Sequence, residues 1–144
     1  MAEQNLIAIA REVVDAFNAN DLERSVAPQA DGVYNELGTQ RRLNGKGEIL
    51  PALRGWRTAM PDVKGTVTNA LASGNSVVLE ITWEGTQTGP METPDGTIPA
   101  SGKRQVTPST WVFDFEGDRI KESRHYFDMV TFLSQIGAMP QQAS

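Results

Sequence analysis

Apolar residues repeat at intervals of three and four near the start of the chain. The repeat comprises Leu6, Ile9, Ala10, Val13, Val14 and Phe17. This spacing gives a helix one apolar stripe, so the sequence predicts a helix from about Gln4 to Ala19. Asn20-Asp21 then ends that helix and offers a side-chain cap to a short second helix in LERSVA.

The next segment predicts a strand followed by a third helix. GVYNEL comes directly after the Asp31-Gly32 turn and favours a strand. In GKGEILPALRGWRTAMPD, helical spacing joins Leu50, Leu53, Trp56 and Met60. Pro51 has no N–H to donate, so it fits only if this helix starts near Gly47. Pro61-Asp62 ends the helix.

From residue 63 the apolar period changes from 3.6 to 2, which predicts strands. VKGTVTNAL and SVVLEITWEGTQT form one predicted pair, and RQVTPSTWVFDF and RIKESRHYFD form a second. Between the pairs, residues 89–102 hold three prolines and three glycines, which predicts an irregular loop long enough to serve as a lid or rim. Pro108 predicts an edge or a bulge in its strand. Residues 129–136 predict a last helix, with Gly137 in the left-handed C-cap position.

Helices gathered at one end of the chain and strands at the other predict an α+β fold with a mostly antiparallel sheet. The 144 residues match the size of one domain, so we predict a single domain over 1–144, with a flexible tail at 139–144. The start of the chain carries Glu3, Arg11 and Glu12 among its apolar residues and is not typical of a signal peptide. No apolar run approaches the ~18 residues that span a bilayer. We therefore expect a cytoplasmic protein without membrane contact.

Composition excludes several classes of function. The net charge is -5 and the basic residues form no stripe, which argues against a nucleic-acid partner. The absence of cysteine excludes disulfides and thiol nucleophiles. A single histidine excludes a His-rich metal site, and we predict no metal.

Three motifs resemble one protein family. FNANDLERSVAPQADGVYNE is similar to the first helices and opening strand of the SnoaL-like polyketide cyclases, which have the NTF2-like fold. GWRTAMPDVKGTV resembles their helix that ends in proline-aspartate before a strand. FEGDRIKESRHYFDMVTFLSQIGAMP resembles their closing turn, strand and helix, and it is the most specific of the three. The resemblance covers nearly the whole chain.

The resemblance implies a strongly bent sheet wrapped over the N-terminal helices around a conical pocket. It also implies a homodimer through the outer sheet face and aldol chemistry without a cofactor. In the family's cyclases an aspartate at the end of the last strand acts as acid and base, and the matching residue here is Asp128. Those enzymes also place a histidine in the preceding strand, whereas this chain has only His125, in the last strand.

The residues themselves leave two roles open for Asp128. Strand alternation puts Arg124, Tyr126 and Asp128 on one side, with His125 and Phe127 on the other. A carboxylate beside aromatic rings would lose hydration, which raises its pKa and suits an acid-base group. Asp128 also directly precedes a predicted helix, where an aspartate is a favoured N-cap.

A set of large side chains from separate elements is predicted to line the pocket. Its members are Tyr34, Trp56, Met60, Trp83, Trp111 and Tyr126. They suit a small hydrophobic or polycyclic carbonyl ligand, although most of them would serve equally well as plain core. Arg124 is predicted at the pocket mouth, with a surface ion pair as the alternative.

We therefore predict a cyclase-type enzyme with Asp128 as base and acid. The alternatives are an isomerase of the ketosteroid type, an epoxide hydrolase, or a dimeric module that binds a small molecule without turnover. An epoxide hydrolase would require two carboxylates around an arginine, for which Glu122, Arg124 and Asp128 are the available residues.

Overall fold

The computed structural model describes residues 2–139. It contains four helices among these residues: α1 at Glu3–Asn18, α2 at Leu22–Val26, α3 at Gly45–Ala59 and α4 at Met129–Gln135. A single 3₁₀ turn follows α2 at Ala27–Gln29. None of these helices is long and apolar enough to cross a membrane. The tail predicted at 139–144 lies outside the described residues, apart from Met139.

Six strands form one curved sheet. They are β1 at Val33–Glu36, β2 at Arg41–Asn44, β3 at Lys64–Ser73, β4 at Ser76–Thr86, β7 at Arg104–Glu116 and β8 at Arg119–Phe127. The two remaining strands, β5 at Met91–Thr93 and β6 at Gly96–Ile98, form a separate small hairpin. The order across the sheet is β2-β1-β8-β7-β4-β3. The β1–β8 pair is parallel and the other pairs are antiparallel. The predicted α+β class with a mostly antiparallel sheet is confirmed.

Three local predictions differ from the structure. The strand β2 at Arg41–Asn44, between the first predicted strand and the third helix, was not predicted. Residues 89–102 contain the β5–β6 hairpin, so the prediction of a wholly irregular loop is wrong. Its two short strands meet through a tight turn at Pro94-Asp95, and Gly96, the first residue of β6, has a φ of +125°. The third helix begins at Gly45 rather than near Gly47, so Pro51 lies inside it, on the exposed face.

The position of Pro108 is explained by the end of β8. Pairing between β7 and β8 ends at Ser109 and Phe127, so β7 is a local edge at Pro108. Two residues earlier on that side, the Gln135 side chain replaces a strand, because it accepts from Val106 N at 2.7 Å and donates to Val106 O at 3.0 Å. A missing N–H is tolerated where no neighbouring strand pairs.

The hydrophobic core lies between the sheet and the helices. We call the side of the sheet that packs against α1 its inner face. Alternate residues of β4 and β7 point to this face, among them Leu79, Ile81, Trp111 and Phe113. The stripe predicted for α1 packs against them through Leu6, Ala10, Val13, Val14 and Phe17. The core is incomplete near the ends of β1 and β8, where a cavity remains.

Candidate functional site

The cavity lies between the inner face of the sheet, α1, α3 and α4. The empty space between its walls, including the solvent at its open mouth, is about 620 Å³. The cavity volume, taken as the space that the centres of water-sized molecules can occupy, is about 70 Å³. That is room for several waters or one small ring. Its lining consists of Val13, Phe17, Ser25, Tyr34, Glu36, Leu53, Trp56, Met60, Val63, Trp83, Gln105, Thr107, Trp111, His125, Phe127 and Phe132.

Glu36 is a fully buried carboxylate in this mostly apolar wall. It ends β1, and strand alternation turns it to the same side as Tyr34. Its Oε2 accepts from Trp56 Nε1 at 2.9 Å and from the Tyr34 hydroxyl at 3.2 Å. Its Oε1 accepts from Thr39 Oγ1 at 2.5 Å and from Arg41 Nη2 at 2.6 Å.

This ring of donors matches the hydrogen-bonding requirements of a carboxylate anion. A carboxylate only accepts hydrogen bonds, whereas a protonated carboxyl must also donate one. Among the partners of Glu36, Trp56 and Arg41 can only donate, and Arg41 adds a second bond to Oε1 from Nε at 3.1 Å. Arg41 therefore balances the charge of Glu36 from a side chain that is itself 37% exposed.

His125 lies on the inner face of β8 and is 5% exposed. Its ring is stacked on Trp111, with centroids 4.3 Å apart and planes 5° from parallel. Nδ1 lies 2.9 Å from the Tyr34 hydroxyl, and Nε2 lies 3.0 Å from Ser109 Oγ. Burial lowers the pKa of His125 from 6.5 to about 3, so the imidazole is neutral at physiological pH.

Tyr34 joins these two groups. Its hydroxyl is within hydrogen-bond distance of both Glu36 and His125, and its ring is stacked on Trp111 with centroids 5.2 Å apart. Burial, followed by the nearby charge of Glu36, raises the pKa of Tyr34 well above 10. The phenol therefore keeps its proton and acts as a hydrogen-bond donor.

The Trp83 ring in the cavity wall packs closely against Gly65. A Cβ at this position would lie 2.5 Å from the Trp83 ring, so any larger residue would displace the indole. The Asn18 side chain holds Gly65 in place by bonding both its N–H and its carbonyl at 2.8 Å. Trp83 in turn donates from Nε1 to Ser109 Oγ at 2.9 Å.

A second polar feature lies along β7. Gln105 and Thr107 are buried on the inner face, and the Thr107 hydroxyl donates to Gln105 Oε1 at 2.6 Å. The Gln105 amide donates to the sulfur of Met60 at 3.3 Å. Sulfur is a weak acceptor, so this amide can serve a ligand oxygen as well.

Five of the residues predicted for the pocket do line the cavity: Tyr34, Trp56, Met60, Trp83 and Trp111. The structure places Arg124, Tyr126 and Asp128 elsewhere. Arg124 pairs with Asp114 at 2.6 Å on the outer face, which is the surface ion pair left open above. Tyr126 is 46% exposed on that same face.

The expectation that Asp128 lies in an apolar hollow is wrong. Its side chain is exposed and caps α4, accepting from Val130 N at 2.9 Å and from Thr131 Oγ1 at 2.8 Å. The Thr131 hydroxyl, followed by the Val130 amide, lowers the pKa of Asp128, whereas a tuned acid-base group would show a raised pKa. The structure therefore supports the helix-cap role of Asp128.

The prediction for β8 was right about alternation and wrong about which side faces the cavity. Ser123 and His125 are buried on the inner face, and Phe127 lines the cavity with His125. The charged residues Glu122 and Arg124 point outward. The charge difference between the two sides was a usable signal, as was the placement of Glu36 two residues after Tyr34.

Two further sequence expectations concern the surroundings of the cavity. No residue of 89–102 belongs to the lining, so the expected lid or rim is not found there. Within residues 2–139, no three His, Asp or Glu side chains come together as a metal-binding group.

The model of the SnoaL-like polyketide cyclase family matches residues 7–136. No curated protein was found to match the sequence. Three solved structures illustrate the similarity of fold. AclR from Streptomyces galilaeus, a proposed hydroxylase, is 21% identical, with a TM-score of 0.82 and coverage of 96% of this chain and 100% of that chain.

IdmH from Streptomyces antibioticus, a proposed polyketide cyclase, is 23% identical, with a TM-score of 0.74 and coverage of 95% and 99%. A protein of ketosteroid isomerase-like fold from Catenulispora acidiphila is 19% identical, with a TM-score of 0.76 and coverage of 91% and 93%. These likenesses show the NTF2-like fold, whose pockets serve different chemistries.

Proposed function

Because the chain belongs to the SnoaL-like polyketide cyclase family, we propose that it binds a small hydrophobic carbonyl compound and catalyses proton transfer beside the carbonyl group. The proposal moves the base from Asp128 to Glu36. The observation that carries it is a buried carboxylate and a phenol, Glu36 Oε2 and Tyr34 Oη, 3.2 Å apart in the wall of an apolar cavity.

Glu36 acts as the base. Arg41 keeps it ionised, which is the state that accepts a proton. Its Oε2 takes a proton from the carbon next to the ligand carbonyl, and the electron pair of that C–H bond moves onto the carbonyl oxygen. A positioned base of this kind contributes ~10²–10⁴-fold to the rate.

Tyr34 stabilises the oxygen on which charge develops. Its hydroxyl turns from Glu36 to the ligand oxygen and donates a hydrogen bond there, in surroundings with little water. Neutral His125 supports the phenol from its other side. The proton on Glu36 then returns to another carbon, which gives isomerisation. Alternatively, the enolate carbon attacks a second carbonyl of the same ligand, and Glu36 protonates the resulting alkoxide.

The size of the cavity favours a compact ligand. About 70 Å³ is open to the centres of water-sized molecules, which fits one ring better than a polycycle. A larger ligand would leave part of its surface exposed to solvent at the opening of the cavity. The residues named for an epoxide hydrolase do not support that reaction, because Arg124 pairs with Asp114 and Asp128 is exposed.

The test uses one- and two-ring ketones in deuterated water. Ketones that raise the melting temperature are incubated with the protein, and exchange of the hydrogens next to their carbonyl is followed by NMR. We expect the wild type to accelerate exchange and Glu36→Gln to lose ~10²–10⁴-fold. Glu122→Gln, a carboxylate change on the outer face, should leave the rate unchanged.

Two results would contradict the proposal. Stabilisation by ketones without any exchange would indicate a binding module that performs no turnover. Undiminished exchange in a folded Glu36→Gln variant would show that another group is the base.

We also propose a homodimer through the outer sheet face. Support comes from three exposed apolar side chains on that face, Leu71 at 58%, Tyr126 at 46% and Val106 at 43%. Burial in an interface would remove these side chains, which lie on β3, β8 and β7, from water. Sedimentation of the wild type tests this assembly.

A further inference from the structure

The side chains behind the cavity wall form one continuous hydrogen-bonded chain. It runs from Trp83 through Ser109, His125 and Tyr34 to Glu36, with successive distances of 2.9, 3.0, 2.9 and 3.2 Å. Trp83 can only donate, and an ionised Glu36 can only accept. The three groups between them each carry one proton and can be ordered in two ways.

In the first order, every proton points toward Glu36. Ser109 donates to Nε2 of His125, Nδ1–H of His125 donates to the Tyr34 oxygen, and the Tyr34 hydroxyl donates to Glu36. The Ser109–His125 and His125–Tyr34 contacts have ordinary hydrogen-bond lengths, and the Tyr34–Glu36 contact at 3.2 Å is slightly long for an O–H donor. His125 is then the Nδ1–H tautomer.

In the second order, the protons point the other way. Tyr34 donates to Nδ1 of His125, and Nε2–H donates to Ser109. Ser109 must then donate to the Ile81 carbonyl at 3.4 Å, which is long for an O–H donor. Oε2 of Glu36 also loses its bond from Tyr34, so the negative charge is solvated less well.

We propose that Arg41, by keeping Glu36 ionised, selects the Nδ1–H tautomer of His125, so that the Tyr34 oxygen accepts from His125 and its proton can turn from Glu36 to the ligand. Arg41 bonds to Glu36 and takes no direct part in the proposed reaction. It is therefore a positioning residue that acts through Glu36. In the second order the Tyr34 proton is committed to His125, and a ligand oxygen would meet no donor. The functional consequence rests on the proposed role of Tyr34, but the tautomer does not.

Loss of Arg41 reverses the chain for an electrostatic reason. A buried carboxylate without a counter-charge takes up a proton rather than remain charged. The protonated carboxyl then donates to the Tyr34 oxygen. Tyr34 must in turn donate to Nδ1 of His125, which moves the ring proton to Nε2.

The single histidine makes this measurable without a ligand. In protein labelled with ¹⁵N-histidine, long-range proton–nitrogen spectra at pH 7 distinguish the protonated ring nitrogen from the bare one. We expect Nδ1 to be protonated in the wild type. In Arg41→Gln we expect the two nitrogen shifts to exchange, with Nε2 protonated.

Three further variants sharpen the test. Arg41→Lys retains the charge and should retain the Nδ1–H tautomer. Arg42→Gln removes a charge that pairs with Glu122 on the outer face and should change nothing. Glu36→Gln has no carboxylate, can donate its amide to Tyr34, and should reverse the tautomer even if Arg41→Gln fails to fold.

A wild type with Nε2 protonated would overturn the proposal. So would a folded Arg41→Gln or Glu36→Gln variant that retains Nδ1–H. If ketone exchange is absent but the tautomer behaves as expected, the proposed function fails and this inference stands. If exchange depends on Glu36 but the tautomer does not change in Arg41→Gln, the proposed function stands and this inference fails.

Discussion

The carboxylates Glu36 and Asp128 lie near opposite sides of the same curved sheet and have contrasting surroundings. Glu36 ends β1 on the inner face, fully buried, with bonds from two rings and an arginine. Asp128 follows β8, exposed, with bonds from a backbone amide and a threonine of the next helix. Both carboxylates follow aromatic residues in the sequence, yet only one of them faces a cavity.

The difference shows what removes water from a carboxylate. An aromatic neighbour in sequence removes no water from a carboxylate that points to the other side of the strand. Burial removes it, and burial is tolerated only because Arg41 and the ring N–H and O–H groups replace the lost hydration. The fold therefore places Glu36 in the cavity wall, whereas Asp128, the residue that the family resemblance indicated, lies outside the lining.

The largest effect is expected from removing the inner counter-charge. Arg41→Met leaves Glu36 buried and unpaired, which should lower the free energy of unfolding by about 3 kcal/mol, the lower end for a buried pair because Arg41 is partly exposed. Arg124→Met removes the outer pair with Asp114, whose side chains are 34% and 36% exposed, and should cost at most about 1 kcal/mol. Urea denaturation measures the free energy of unfolding of both variants. Equal decreases would show that the buried Glu36–Arg41 pair stabilises the protein no more than the outer pair does.

A somewhat smaller effect is expected from pH. His125 has a folded pKa of about 3, below the value near 6.5 of an unfolded chain. As pH falls from 6.5 to 4.5, the unfolded chain binds a proton that the folded protein refuses. The free energy of unfolding should therefore fall by about 2 kcal/mol over that range. Above pH 6.5 the contribution of neutral His125 to the free energy of unfolding is fully present.

The matched variant is His125→Gln, whose amide can bond both Tyr34 and Ser109. Its stability should be flat over the same range, because Asp62 and Asp114 have pKa values lowered by the Thr86 amide and by Arg124, respectively. These carboxylates lose their contribution only at lower pH. A wild type as flat as the variant would contradict the neutral, buried histidine.

The smallest effect is expected at Asp128. Asp128→Asn keeps an oxygen for the cap of α4 and should leave ketone exchange within about twofold of wild type, since the side chain does not reach the cavity. Asp128→Ala removes both bonds to α4 and should lower the melting temperature slightly, again without loss of exchange. A large loss of exchange in Asp128→Asn would restore Asp128 as the base.

The sequence predicted most elements because their signals are local. The stripe from Leu6 to Phe17 defined α1, and the alternation through Leu79 and Ile81 defined β4. The glycine at 137 marked the end of α4, where its φ is +71°. The hairpin at 91–98 was missed because prolines and glycines at 89–102 concealed two strands of three residues each.

The site was predicted only in part. Tyr34, Trp56 and Trp83 were identified because large aromatic residues favour the interior of a protein, whether it is packed core or the wall of a cavity. Glu36 and His125 were missed because a carboxylate and an imidazole are commonly exposed, and nothing local shows that four donors converge on the first. Arg41 joins Glu36 across the β1–β2 turn, and Ser109 joins His125 from the neighbouring strand β7.

By itself, the sequence determined which residues share a side of each strand and helix, because the periods of 2 and 3.6 follow from the backbone. The backbone period does not decide which side of β8 is covered, and the tertiary structure decided that. The period is the same for either face, and the choice depends on where α1, α3 and α4 pack. That packing enclosed His125 with Glu36 and left Asp128 in water.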